Sequence, residues 1–280
     1  MTDFSVVNGC QTTVSIGEAS DAAAAEVAVM ARIVAATPNL VDNIIRFTNS
    51  QTPIKLWDLS ARDSLQKRLQ QELSGLTKPW FYGLRRGELE TLPNKNAFGP
   101  YGKRRLLEFP LAAQFVAAMR GLPVEAYRDK ARLFTTHKDK VFPNDTNGSD
   151  VLWAWTIGQA TERAIEKYRN ELKPDDAVEA IFRRGARFFA AAVCAQLLRL
   201  RNGDDVFAKV DVERVLDKAM LARLDKYAVL AVSYYVGIMR TLVEGGGELS
   251  TLLRNTQIPV FLSTSVSRSG CSSSNWRQRP

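Results

Sequence analysis

The chain's 280 residues suffice for one large domain or two modest ones, each with a real core. Apolar residues make up 45% and charged residues 24%, close to the globular norm, so disorder of the whole chain is excluded. The net charge of +8 favours contact with polyanions such as nucleic acid or nucleotides, and says nothing about fold. No stretch approaches the roughly eighteen apolar residues of a membrane span, so no membrane partner is expected. The start MTDFSVV lacks the parts of a signal peptide. The 3 cysteines, Cys10, Cys194 and Cys271, are too few and too scattered for a disulfide framework or a Cys-based zinc site. The expected setting is the cytoplasm.

In chain order, FSVVN at 4–8 reads as a short strand, and Gln11 to Ala25 as a helix after an Asn-Gly corner. Residues 26–36 alternate as a buried strand does, with helix as the alternative. NLVDNIIRF fits a short helix, and TNSQTPI is a turn. Residues 56–75 form an amphipathic helix with Leu56, Leu59, Leu65, Leu69 and Leu73 on one side and Gly75 as its stop. The stretch from Lys78 to Pro100 is loop-rich and strand-like, with aromatics beside arginines. Helices are expected over 104–120, 124–134, 150–171, 175–201, 211–222 and 225–243, ended by the glycines at 245–247. The polar run 136–150 is the candidate boundary, and the Ser- and Arg-rich tail at 263–280 is expected to be disordered. The fold class is therefore an α/β (or α+β) N-terminal part, 1–143, with a small sheet, then a mostly helical part over 150–262.

A strand running through Asn-Gly into a helix has a physical use. Gly9 can take a positive φ and lets a ligand approach the backbone, and first-turn amides beside Gln11, Thr12 and Thr13 suit a phosphate. Taken alone, the corner is as well explained by an ordinary turn and helix cap. The stretch VVNGCQTTVSI resembles the "IVNGxQT" signature of the abortive-infection phage-resistance (AIPR) family. Three further segments follow in the family's order: IIRFTNSQTPIKLWDLSARDSLQKRL, similar to its "TNxQxP" turn and helix, FYGLRRGE, similar to its "YERRxGE", and PLAAQFVAAMRGLPVEAYRDKARLF. The resemblance spans roughly residues 4–143 and implies a role in phage defence. Family members carry a long region before the first motif, so the chain is expected to be a remnant, a fragment or one product of a split gene. Gly83-Leu84 stands where the family has Glu-Arg.

The same corner distantly resembles the phosphate-holding loop "DGxHRxxA" of ParB/sulfiredoxin-like and DGQHR-domain proteins. Asn8-Gly9 matches Asp-Gly, Gln11 matches His, and Thr12 matches Arg. Thr for Arg removes a bidentate phosphate donor and leaves a hydroxyl. The resemblance implies a nucleotide as the one cofactor candidate. Its site would be Asn8, Gly9, Gln11, Thr12 and Thr13, with Asn49 and Gln51 of the second turn and charge from Arg85 and Arg86.

Other constellations are weaker. His137 is the only histidine, which excludes a His dyad or a His-rich metal site, and it reads as a solvated loop residue. No phosphate-binding P-loop, serine-hydrolase elbow or metal constellation is present, so no metal and no catalytic residue is assigned. Asp175-Asp176 reads as negative charge opening a helix. Arg183, Arg184, Arg187 and Arg201 share one face of the 175–201 helix and are candidates for nucleic-acid backbone contact, against the plainer reading of a solvated or acid-paired face. Trp80, Phe81 and Tyr82 beside Arg85 and Arg86, with Lys103, Arg104 and Arg105 adding charge, form a second basic candidate, against the plainer reading of core aromatics.

The expected function is a nucleotide- or nucleic-acid-sensing module in phage defence. One alternative is an effector enzyme, a nuclease or NTPase. Another is a helical interaction protein whose C-terminal region binds a toxin or a restriction-modification component.

Overall fold

The computed structural model describes residues 63–85, 105–172, 175–202 and 217–254, with isolated positions at 16, 17, 22, 25, 28, 29, 60, 61, 88 and 92. Contacts divide the chain into two units, Met1–Lys55 and Leu56–Pro280, and every element named below belongs to the second. In the first unit Ile16, Gly17, Ala22 and Ala25 are helical, inside the helix expected over Gln11 to Ala25. Ala28 and Val29 are exposed and carry neither helix nor strand, so the buried strand expected over 26–36 is absent at those two positions. The remaining N-terminal elements and the tail from 263 lie outside the described residues.

Leucines four apart make α1 (Ser64–Ser74) amphipathic, and it buries Leu69 and Leu73. Asp63, not Leu56, opens it: its carboxylate accepts from the Leu65 amide at 3.0 Å. The helix stops at Gly75 as expected. Strand β1 (Phe81–Gly83) follows and pairs in parallel with β2 (Leu106–Glu108), Tyr82 opposite Leu107. The second strand occupies the start of the helix expected over 104–120. Pro110 has no N–H to give and fits a first turn, and the helix begins at Phe109. The residues ahead of it are left extended and free to pair with β1.

Helix α2 (Phe109–Met119) is the hub, with Phe109 and every residue from Ala112 to Met119 buried. A helix that is apolar on all faces must sit inside. It is enclosed by β2, α3 (Pro123–Arg128), α4 (Lys138–Val141), α5 (Gly148–Leu172) and α7 (Ala186–Asn202). Helices α5 and α7 also contact α8 (Lys218–Glu244), so they form a middle layer between α2 and α8. Close approach within this core rests on small residues. A Cβ on Gly158 would lie well inside 3.0 Å of the Phe115 ring, so α5 can cross α2 there only with glycine.

Three further expectations are corrected. The 124–134 helix ends at Arg128, because the Asp129 carboxylate turns back to accept from the Arg132 amide and starts a short 3-10 turn at Arg132–Phe134. The pair of helices expected at 211–222 and 225–243 is one helix from Lys218 onward: Asp225 is held in it by an ion pair at 2.7 Å to Arg163 of α5. The 175–201 helix is two, α6 (Asp176–Arg183) and α7, bent at Gly185. A last short helix, α9 (Leu249–Leu252), follows the glycines. Among the described residues no helix is long and apolar enough to cross a membrane. The observed class, a small sheet in a chain dominated by helices toward its C-terminal part, is the one expected.

Candidate functional site

The bend between α6 and α7 organises a charged concave surface. Asp175 caps α6, its carboxylate accepting from the Val178 amide at 2.9 Å and meeting Arg240 of α8. At the other end Arg184 is the C-cap and Gly185 takes a φ of +79°, a left-handed conformation that glycine adopts without penalty. The Tyr127 ring of α3 lies over Gly185 where a side chain would stand, so the turn also needs glycine for space. The bend sends Arg183, Arg184 and Arg187 to different sides of Tyr127.

On one side is a cleft of about 530 Å³, lined by Tyr127, Phe182 and Phe188, by the cations Lys130, Arg169, Arg183 and Arg187, and by Glu162 and Glu166. Its arginines are committed. Arg169 donates twice to Glu179, at 2.7 and 3.1 Å, and Arg183 donates to the same carboxylate at 3.3 Å. Arg187 donates to Glu162 at 2.7 Å. Arg169 and Arg187 also lie over the rings of Phe182 and Phe188, at 5.5 and 5.2 Å from the centroids. Gln114, buried in α2, reaches this cleft while its amide N–H donates to the Ala126 carbonyl.

On the other side is a cleft of about 330 Å³ lined by Tyr127, Arg128, Arg184, Ser250, Leu253 and Arg254. Its cations are uncommitted: none of the three guanidinium groups donates to a protein acceptor among the described residues. Glu248, close enough to feel Arg254 and Arg184, is already engaged by the hydroxyls of Ser250 and Thr251. Those hydrogen bonds, outweighing desolvation, and the charges of Arg254 and Arg184 hold its pKa below the ordinary carboxylate value. One cleft is thus an ion-paired, aromatic-floored surface and the other an excess of positive charge. Such a pair can bind anions and planar groups. Among the described residues no group of three or more His, Cys, Asp or Glu side chains stands together to hold a metal.

Of the residues singled out from sequence, Asn8, Gly9, Gln11, Thr12, Thr13, Asn49, Gln51, Arg86, Lys103 and Arg104 lie outside the described residues. Arg85 is exposed in a turn after β1, and Glu88 accepts from its amide at 2.9 Å and from that of Leu84 at 2.7 Å. The backbone carbonyl of Arg105 accepts from Phe81 as the ladder opens. Trp80, Phe81 and Tyr82 are core: the Tyr82 hydroxyl donates to the buried Gln66 at 3.0 Å, and its ring packs edge-on against Phe109. That rules out base stacking on Tyr82. The arginine stripe does not share one helix face. His137 is half-buried at the cap of α4 rather than solvated, with its Nδ1 enclosed. Tyr127 and Arg128, at the end of α3, were not visible as site residues because their cleft partners Arg184 and Arg254 lie far from them in sequence. Gly185, inside an otherwise helical pattern, was the available signal.

A two-stranded parallel ladder, a buried central helix and a layered helical body with a basic bend define a predominantly helical protein. The AIPR protein family model matches residues 1–260, and the chain belongs to that family, which places it among abortive-infection phage-resistance proteins. No curated protein and no solved structure matches it.

Proposed function

We propose that this chain acts in abortive infection as a nucleotide- or nucleic-acid-sensing module. The observation that carries the reading is the bend at Gly185, which gathers Arg183, Arg184 and Arg187, with Lys130, Arg128 and Arg254, onto two adjoining clefts. Phosphate backbones and nucleotide phosphates are the abundant polyanions such a surface would meet during infection. Tyr127, half-buried and bordering both clefts, suits a base. The Asn8–Thr13 corner and the Asn49–Gln51 turn, with Arg85 and Arg86, are proposed separately as ligand-binding residues.

The test is fluorescence anisotropy on the intact chain with labelled adenine and guanine nucleotides and short single-stranded DNA and RNA. Saturable binding that Gln11→Ala weakens at least tenfold, and that falls as salt rises, is expected. Absence of binding to every probe at millimolar nucleotide and micromolar oligonucleotide would sink the reading.

A further inference from the structure

The two clefts differ in what their charge is doing, and that difference names a ligand. In the larger cleft Arg169, Arg183 and Arg187 each have a carboxylate partner. In the smaller one Arg128, Arg184 and Arg254 have none among the described residues, although Glu248 lies close enough to feel Arg254 and Arg184. Each arginine comes from a different place: Arg128 ends α3, Arg184 caps α6, and Arg254 follows α9. A helix end accounts for any one of them, since C-terminal carbonyls favour a cation. It does not account for three guanidinium groups converging on one concavity, where like charges repel.

We propose that this cleft is an oligophosphate site that takes the di- or triphosphate group of a nucleotide. The planar fork of each guanidinium matches phosphate oxygens bidentately, and three forks around one hollow suit several linked phosphates better than one. The volume of about 330 Å³ fits a small phosphorylated molecule. Tyr127 borders both clefts and is only half-buried, so a base beside the phosphates would meet its ring. The inference rests on the nucleotide reading above and narrows it to a phosphate count and a place.

The experiment is isothermal titration of the intact chain with ATP, GTP, AMP and inorganic tripolyphosphate, repeated on Arg128→Gln, Arg184→Gln and Arg254→Gln. Removing a guanidinium relieves repulsion, so the unliganded variants are expected to melt no lower than the parent. Expected results are binding of triphosphates and tripolyphosphate at least tenfold tighter than AMP, and a tenfold or greater loss in each variant. Tripolyphosphate binding as tightly as ATP would identify the phosphates as the main anchor, and tighter ATP binding would add the base. Nucleotide binding unchanged in all three variants but lost in Gln11→Ala would overturn this site and leave the sensing function standing. Oligonucleotide binding that tripolyphosphate does not compete would also overturn it. No binding by any of these molecules would overturn both.

Discussion

Gly158 and Asp63 show how single residues hold this molecule together. Gly158 lies inside α5, where glycine costs up to about 1 kcal/mol relative to alanine, and the cost is accepted because the Phe115 ring occupies the place of its Cβ. Gly237 in α8 has nothing within 4 Å of that place. Gly158→Ala is therefore expected to destabilise by about 1–3 kcal/mol through overpacking, and Gly237→Ala to stabilise by roughly 0.5–1 kcal/mol, both read from urea unfolding. The same sign for both would contradict the packing described. Asp63 is the pH-sensitive counterpart. Burial pushes its carboxyl up, but the hydrogen bond and charge of Lys138 and the Leu65 amide outweigh burial, so its pKa lies below the ordinary 3.8. A depressed folded-state pKa stabilises above the unfolded value, and the contribution is lost as pH falls through the folded one. Asparagine caps nearly as well, so Asp63→Asn isolates the charge. At pH 6 the variant is expected to be less stable by roughly 0.5–1 kcal/mol, and the gap to close as pH is taken below 3.8. A gap that widened on acidification would be the wrong sign.

At the level of elements, α1 and α5 are joined by a clamp. Glu72 accepts from the Gly148 amide at 2.6 Å, at the start of α5, where a carboxylate meets the positive end of the helix. Arg68 donates to Glu72 at 3.0 Å and to the carbonyls of Asn144 and Thr146 at 3.0 and 2.8 Å. Arg68→Ala is expected to cost roughly 1–2 kcal/mol and to speed amide exchange at Gly148. Exchange unchanged there would mean that the clamp does not hold the start of α5. Elements also show where sequence was readable. The leucines of α1 and the long apolar pattern of α5 announce themselves because the signal is local and repeats. Residues 106–108 do not, since their strand exists only through β1, a partner that lies well upstream. The space at Gly185 is set by Tyr127 of α3, and Asp225 of α8 pairs with Arg163 of α5. No window along the chain contains those partners.

For the whole molecule, family membership was legible in four ordered segments, and the match over residues 1–260 extends it beyond the 4–143 stretch where the motifs lie. The helical body was legible as helices, but its basic clefts were not. Arg128, Arg184 and Arg254 become neighbours only after α3, the bend and α9 are in place. The net charge of +8 had indicated polyanions without saying where they would bind. The central claim is that this charge serves ligand recognition. The most direct measurement is calorimetric titration of the intact chain with nucleoside triphosphates, before and after Arg184→Gln and Gln11→Ala. The account predicts saturable binding that each substitution weakens at least tenfold. Binding indifferent to both substitutions, or no heat of binding at all, would contradict it.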